Sequence, residues 1–361
     1  LEIDHAKGLD LSRKKGNWVV TMWMNAILSG PSTHLVNIAS GLATTLFLPL
    51  EKAIGRGMSE RSLGAVAEEL STYMHLFESF GDAWRVASLA RKEGKNYIDP
   101  HVRAMEYQPK GGVTDINPDV DDLASTAKKW ATRISGAPSR YLMGEDEFFK
   151  QLNYRAHVKR DLWRNVKSDK SFAGNHAEEV DRLFNKMIAD DQMYSEQTLL
   201  KRAGAAAETK GLEVGSEEYQ TFIKRFFNDN WDEGLGQIAE RAREVARAST
   251  FTTPLSRDRG MVVGVSKGVN DIINKYPSLR FIVPFVRTPT NLLKFYLDRS
   301  PLALKVLLKK EYWKSMSSDA AVRADFMGRF ATGAMGLFGM AALARGELLT
   351  GNGPANRHER E

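Results

Sequence analysis

The sequence predicts an all-α protein. Apolar residues recur at a spacing of three and four along most of its 361 residues, and no stretch alternates apolar and polar residues cleanly enough to indicate a β-strand. Two long uncharged segments, one near each end, stand out in a chain that is 27% charged. These observations predict an elongated multi-helix bundle with an apolar N-terminal helical hairpin and an apolar, glycine-rich C-terminal helix.

The first uncharged segment covers residues 16–50, 35 positions without Asp, Glu, Lys or Arg. A helix that faces water rarely lacks charge over this length, so the segment is expected to face lipid, protein or both. Ser29-Gly30-Pro31-Ser32 divides it into two helical arms, 18–28 and 35–50, of about 16 and 24 Å. Each is shorter than the hydrocarbon core of a bilayer, which is about 30 Å thick. Ser32 or Thr33 is expected to cap the second arm.

Polar side chains recur through both arms. Amides, hydroxyls and an imidazole at such positions suit contact between helices better than contact with bare lipid. They are Asn25, His34, Asn37, Ser40, Thr44 and Thr45.

Next comes a helix with a heptad pattern. Its apolar residues alternate between spacings of three and four, which predicts packing within a bundle. Arg91, Lys92 and Gly94 follow in the order expected at a helix end. The repeated positions are Leu63, Val66, Leu70, Tyr73, Phe77, Phe80, Trp84 and Ala87.

Further helices are predicted from apolar periodicity at 119–136, 146–167, 176–190 and 216–228. The Pro-, Gly-, Asn- and Asp-rich residues 107–122 predict a linker. The predicted segments are the hairpin (1–58), the heptad helix region (59–106), the linker (107–122), a helical bundle (123–250), a basic region punctuated by Gly and Pro (251–310), and the apolar C-terminal helix with its tail (311–361).

Residues 241–310 carry a strong positive charge, with 14 Lys and Arg against 4 Asp and Glu. Such a zone attracts nucleic acid phosphates or anionic lipid head groups, although a solvated helical surface has the same composition. Gly260, Gly264 and Gly268 recur every four residues, which predicts one face for close helix packing.

Basic and aromatic residues alternate in residues 276–305, where four prolines rule out one straight helix. This pattern is typical of a membrane interface, of single-stranded nucleic acid binding, or of a core whose cations reach the surface. The residues predicted to contact phosphates or head groups are Arg280, Arg287, Lys294 and Arg299.

The second uncharged segment, residues 330–344, has 15 positions and contains several glycines. At about 22 Å as a helix, it can enter a leaflet or pair with the N-terminal hairpin. From the two apolar segments we predict the following membrane or oligomer contacts: Trp18, Trp23, Leu28, Leu35, Leu46, Phe47, Phe330, Leu337 and Phe338.

The sequence indicates no catalytic, cofactor or metal site. The chain has no cysteine, which excludes disulfides and thiolate metal sites, and its seven histidines share no ligand spacing. The segment is therefore expected not to be an enzyme. Since Leu1 is not an initiator Met, the chain is expected to be a processed product or part of a longer polypeptide.

Three blocks, MNAILSGPSTHLVNI, RFIVPFVRTPTNLLKF followed by RSP, and LLTGNGP, occur in this order and cover about a quarter of the chain. They resemble a helical region of the large polyvalent or internal virion proteins of short-tailed bacteriophages. The resemblance implies an ejection protein, stored in the virion interior and delivered with the genome to the periplasm and inner membrane of the host. The parent polypeptide in that family can carry enzymatic modules elsewhere.

The expected function is a homo-oligomeric conduit that helps DNA cross the cell envelope. Expected partners are other phage ejection, portal or tail proteins, with the host membrane and double-stranded DNA as two further candidates. Two alternatives remain open: a purely structural module of the internal virion core, and a membrane-anchoring segment of a larger phage enzyme.

Overall fold

The computed structural model describes residues 23, 25–98, 137–188, 193–254, 261–276, 279, 282, 285–300, 313 and 316–346. These residues are mainly helical and contain no strand, which confirms the all-α class. The helices are α1 (Pro31–Glu60), α2 (Leu63–Leu70), α3 (Thr72–Glu78), α4 (Phe80–Glu93), α5 (Ala137–Ser168), α6 (His176–Met187), α7 (Glu196–Thr209), α8 (Glu217–Asn230), α9 (Glu233–Ser249), α10 (Met261–Lys275), α11 (Arg287–Leu297) and α12 (Ala320–Arg345).

The chain forms two compact units. The larger unit comprises Leu1–Leu46 and Ser71–Asn291, and the smaller unit comprises Phe47–Leu70 and Leu292–Glu361. Each unit combines two separate stretches of sequence. The six predicted segments follow one another along the chain and therefore do not correspond to these units. The linker predicted at 107–122 lies outside the described residues.

Helix α5 lies at the centre of the larger unit. It packs against α3, α4, α6 and α9, and its middle is buried on all sides. The apolar core includes the fully buried Tyr154 and Leu162 of α5 and Ile238 of α9. Because neighbours surround α5, several polar residues of its middle are buried as well: Arg155 donates to Asp82 of α4 at 3.1 Å, whereas Gln151 donates to Glu147 within α5 at 2.8 Å.

Several helix ends follow from local chemistry. Side-chain oxygens of Asn175, Ser195, Ser216 and Asp232 accept backbone N–H bonds at the starts of α6 to α9. Gly94 ends α4 as predicted, with a left-handed φ of 69° that suits glycine. The prediction at 146–167 missed the first nine residues of α5. The helix at 119–136 lies outside the described residues.

The break predicted within the N-terminal uncharged segment is confirmed. Residues 25–28 are helical, Ser29 and Gly30 form a turn, and α1 begins at Pro31. The helix therefore starts ahead of Ser32 and Thr33, the residues predicted to cap it, because proline suits a first helical position. Asn25 accepts a hydrogen bond from the backbone N–H of Ser139 at 3.3 Å.

The polar side chains of the N-terminal segment bind the rest of the larger unit, as their pattern predicted. His34 Nδ1 lies 2.8 Å from Glu145 Oε1, and Asn37 donates to Glu145 and Asp146 at 3.1 Å each. These bonds fix the start of α1 against the start of α5. Here an apolar helix is held by polar contacts on one face.

Two threonines continue this polar face. Thr44 donates to the backbone carbonyl of Ser249 at 2.6 Å, and Thr45 accepts from Asn153 at 2.8 Å. Ser40 bonds within its own helix. A neighbouring stripe of α1 carries exposed apolar side chains, namely Leu35, Ile38, Leu42, Leu46 and Leu50.

The heptad pattern was interpreted correctly only in part, because the predicted seam residue Ala87 is buried and Tyr73 packs against the apolar core, whereas other seam residues face outward. The buried face of α3 and α4 consists of small and polar residues together with Leu76 and Val86. The predicted seam residues Phe77, Phe80 and Trp84 are 81%, 53% and 63% exposed. Heptad spacing identifies one apolar stripe on a helix but not whether this chain covers it.

In the smaller unit, Arg56 joins α1 to α2. Its guanidinium donates to Glu60 at 2.7 Å, to Glu68 at 2.9 Å and to Glu69 at 3.2 Å. One cation thus bonds three carboxylates at the junction of the two helices, and its side chain is only 15% exposed.

We expect Glu147 to give the larger unit a distinct pH dependence. Burial raises the pKa of this carboxyl, which accepts bonds from the N–H groups of Tyr97 and Ile98 at 3.3 and 3.2 Å. The unfolded chain releases this proton near pH 4.3, whereas the folded chain keeps it to higher pH. Between the two pKa values the unfolded state binds fewer protons, so this group's contribution to stability falls as pH rises.

Replacing this side chain by Glu147→Gln removes that titration. Urea unfolding between pH 4 and 7 should therefore give the variant a more positive slope of unfolding free energy against pH than the native chain. A hydrogen bond altered by the substitution changes the unfolding free energy by the same amount at every pH, so it does not affect this slope. Parallel slopes would contradict the assignment to Glu147.

Candidate membrane and assembly site

The smaller unit contains a close pair of helices. A Cβ added at Gly55 of α1 would collide with the carbonyl oxygen of Ala324 in α12, and one at Gly328 with the carbonyl oxygen of Glu51. Glycine at both positions lets the two backbones touch, as in tightly packed membrane helices. These contacts join residues 51–55 to residues 324–328, beside the two uncharged segments and not within them, so the predicted pairing of residues 330–344 with the N-terminal hairpin stays a prediction.

A third segment packs on α12 directly after α11. A Cβ at Gly333 would collide with the carbonyl oxygen of Arg299. Glycines of α12 thus contact the backbone of α1 on one side and the backbone that follows α11 on the other. Any side chain at Gly328 or Gly333 would force the segments apart.

A buried ion pair lies between these segments. The guanidinium of Arg299 donates to both carboxylate oxygens of Glu51, at 2.7 and 2.6 Å, and the hydroxyl of Thr332 donates to Glu51 at 3.0 Å. The side chains of Glu51 and Arg299 are only 6% and 12% exposed. This bidentate pair links α1, the end of α11 and α12 through one carboxylate.

Aromatic rings complete the surroundings of Arg299. Its guanidinium lies over the ring of Phe295, 3.4 Å from the centroid, and 5.6 Å from that of Phe47. Burial lowers the pKa of Arg299, and the Glu51 carboxylate opposes this shift. Arginine stays protonated in proteins, so the buried guanidinium of Arg299 keeps its positive charge and needs the Glu51 carboxylate to balance it.

The far end of α12 is apolar on every side. Residues 330–344 contain no charged residue, and every described side chain from Met335 to Arg345 is exposed. A helix with no polar face is not stable against water unless lipid or protein surrounds it. The largest exposed side chains are Met335, Leu337, Phe338, Met340 and Leu343.

Helices α1 and α12 are the two described helices long and apolar enough to cross a membrane by length and composition, each with a mean hydropathy of 1.2. They differ in burial, since 28% of the apolar window of α1 is buried but only 11% of that of α12. Helix α12 thus presents the larger uncovered apolar surface.

The predicted membrane or oligomer contacts fall into three groups. Leu28 is 4% exposed and lies in the interior, so the expectation that it faces lipid or a partner is wrong, whereas Phe47 is half-buried beside Arg299 and its outward contact stays a prediction. Trp18 lies outside the described residues. The exposed members are Trp23, Leu35, Leu46, Phe330, Leu337 and Phe338.

The predicted phosphate contacts are likewise divided. Arg299 is engaged with Glu51, so its placement corrects the expectation that it reaches phosphates. Arg287 and Lys294 are half-buried, and Arg280 lies outside the described residues.

The predicted glycine face is not packed by the described residues. None of their atoms lies within 4 Å of a Cβ added at Gly264 or Gly268, and Gly260 lies outside the described residues. Close packing of this face stays a prediction. The close packing of Gly55, Gly328 and Gly333 was missed, although the small residues Ala324 and Gly328 four positions apart were a visible signal.

No group of three or more side chains able to hold a metal ion occurs in the part of the chain that the structure describes. A scan against protein-family profiles, a search of curated proteins and a search of solved structures found no match to this chain.

Proposed function

We propose that this chain is a helical segment of a bacteriophage internal virion protein that is ejected with the genome. Copies of it assemble, with other ejection, portal or tail proteins, into a conduit that helps double-stranded DNA cross the host envelope. The segment is stored in the virion interior and acts in the periplasm and inner membrane. It performs no covalent chemistry.

The observation that supports this proposal most is the uncovered end of α12. Its apolar side chains point in every direction around the helix axis, so the helix exposes apolar surface to water in any orientation. Lipid or a ring of neighbouring subunits can surround such a helix. Both environments are available to a protein that leaves a capsid and enters an envelope.

The base of α12 is suited to hold that end in a fixed direction. Close glycine contacts and the ion pair of Glu51 and Arg299 anchor the first half of the helix. Arg329 and Arg345 flank the uncharged part, about 24 Å apart along the axis. Arg329 is bonded to Asp298 at 3.2 Å at the base of the helix, whereas the exposed Arg345 can reach head groups while the apolar residues between the two arginines enter the bilayer.

The assignment to a phage is supported by the three sequence blocks alone. The first covers the turn at Ser29-Gly30 and the start of α1, and the second covers the start of α11. These blocks thus include the break that shapes the N-terminal apolar segment. The third block, residues 348–354, lies outside the described residues.

A flotation experiment with anionic vesicles tests the membrane part of the proposal. The double variant Leu337→Lys/Phe338→Lys should bind vesicles with at least tenfold lower affinity than the native chain. Two ammonium groups near the middle of the apolar stretch oppose its insertion. The matched control is Ala321→Lys, which adds a cation to an exposed position of the same helix near its polar end.

The outcomes separate the alternatives. Loss of binding in the double variant but not in the control supports insertion of α12. If the native chain does not float with vesicles, the membrane role fails and the virion-core alternative is favoured. Equal binding by all three proteins would show that another surface contacts lipid, and would contradict the role given to α12.

A further inference from the structure

Helix α1 contains an uncharged stretch as long as a bilayer core is thick. The helix begins at Pro31, four residues before the predicted second arm, and its first charged residue is Glu51. Residues 31–50 are therefore 20 uncharged positions of one continuous helix and extend about 30 Å, the thickness of the hydrocarbon core. Pro49 lies near the end of this stretch, and proline is tolerated in membrane helices. The helix thus meets a length requirement that neither predicted arm met.

The first half of α1 turns its polar side toward the protein. Every residue from Thr33 to Thr45 that is not exposed is either polar or glycine. A helix that packs on a water-soluble domain normally buries its apolar stripe and exposes its polar residues. Residues 31–46 show the reverse arrangement, which leaves their apolar side chains available to lipid. These side chains, 44% to 69% exposed, are Leu35, Val36, Ile38, Leu42 and Leu46.

Polar bonds hold this half of the helix on the larger unit. We call the contacts of His34, Asn37, Thr44 and Thr45 with α5 and with the end of α9 the polar latch. Glu145 is its central acceptor, because His34 Nδ1 lies 2.8 Å from one carboxylate oxygen and Asn37 donates to the other at 3.1 Å. The bilayer core offers no such partners, so every bond of the latch opposes transfer of α1 into lipid.

We propose that the polar latch is an autoinhibitory contact. It holds residues 31–46 on the larger unit, and its opening frees α1 to enter a bilayer as a membrane helix in addition to α12. The inference rests on the proposed membrane role and extends it to α1. Because α5 and α9 supply the partners, the strength of the latch sets how readily α1 inserts.

Opening of the latch can be measured without lipid. Thr45 is 1% exposed and the chain has no cysteine, so the alkylation rate of a thiol introduced by Thr45→Cys reports undocking of α1. Adding Glu145→Ala should raise this rate by about tenfold or more, the factor expected for the loss of hydrogen bonds to a charged group. Glu145→Gln keeps an acceptor oxygen and should give an intermediate rate. The matched control Glu217→Ala removes the same charge from an exposed position of α8 and should leave the rate unchanged.

Flotation with vesicles of zwitterionic phosphatidylcholine tests the insertion of α1. All proteins in this experiment carry Leu337→Lys/Phe338→Lys, so that α12 does not contribute, and the neutral vesicles are insensitive to the change in net charge. Glu145→Ala should raise vesicle affinity about tenfold, because apparent affinity rises in proportion to the released fraction of α1. Adding Leu42→Lys places a charge near the middle of residues 31–50 and should abolish this gain. Glu217→Ala should produce no gain.

The proposal predicts both effects in the same variant, with unchanged hydrogen exchange in α9 as evidence that the larger unit stays folded. If Glu145→Ala lowers protection in α9, the milder Glu145→Gln decides by the same two measurements. A native alkylation rate in the folded variant would show that Glu145 does not hold α1, and faster alkylation without a gain in vesicle affinity would exclude lipid as the destination. Either result overturns the proposal. The role of α12 is tested separately with anionic vesicles, so its failure is distinguishable from failure of the latch.

Discussion

Replacing Glu51 by leucine should destabilise the smaller unit by about 3–5 kcal/mol, the cost of leaving one partner of a buried ion pair without the other. The variant Glu51→Leu leaves the guanidinium of Arg299 between α1, α11 and α12 without its carboxylate. Hydrogen exchange of the α12 amides reports this directly, because the loss corresponds to opening that is about a hundred- to several-thousandfold more frequent.

A double variant distinguishes the ion pair from general packing. Glu51→Leu/Arg299→Met removes both charges and keeps apolar volume, so we expect it to recover most of the stability lost in the single variant. If the double variant loses as much protection as the sum of the two single variants, the pair is not coupled. The interpretation of Glu51 as the centre of this site would then be wrong.

Adding one methyl group at Gly328 should separate α1 from α12. The Cβ of Gly328→Ala meets the backbone carbonyl of Glu51, which no rotamer change can move away. Forced overpacking of this kind costs about 1–3 kcal/mol. Hydrogen exchange of the α12 amides, measured as a function of temperature, gives the loss of unfolding free energy.

The same substitution eight residues later should have the opposite sign. Among the described residues, no atom lies within 4 Å of a Cβ added at Gly336. Gly336→Ala therefore removes only the entropic cost of glycine in a helix and should stabilise α12 by about 0.5–1 kcal/mol. Equal losses at Gly328 and Gly336 would contradict close backbone packing at Gly328.

Several features of the fold could be predicted from residues that are adjacent in sequence. The break at Ser29-Gly30 depends on residues adjacent in sequence, and so does the end of α4 at Gly94, which is why both could be predicted. The polar residues of the N-terminal segment were also predicted to serve helix contacts. Their partners Glu145, Asp146 and Asn153 were not, because 108 or more residues separate them along the chain.

The site depended on information that periodicity does not contain. Glu51 was visible only as the first charge after a 35-residue uncharged run, and Arg299 as one of several cations among aromatics. Their pairing is a contact over 248 residues that no helical pattern encodes. The aromatic stripe of α3 and α4 was found, but spacing alone could not show that Phe77 and Trp84 face outward.

The account requires that residues 330–344 leave water when the protein acts. Because the chain lacks cysteine, single spin labels can be placed along this stretch, and their accessibility to oxygen and to a water-soluble relaxation agent can be measured with vesicles present. We expect labels at Leu337 and Phe338, on different sides of α12, both to become accessible to oxygen and shielded from the polar agent, with a label at Ala321 unchanged. Labels at Leu337 and Phe338 that remain accessible to the polar agent, with vesicles and in the assembled protein, would contradict it.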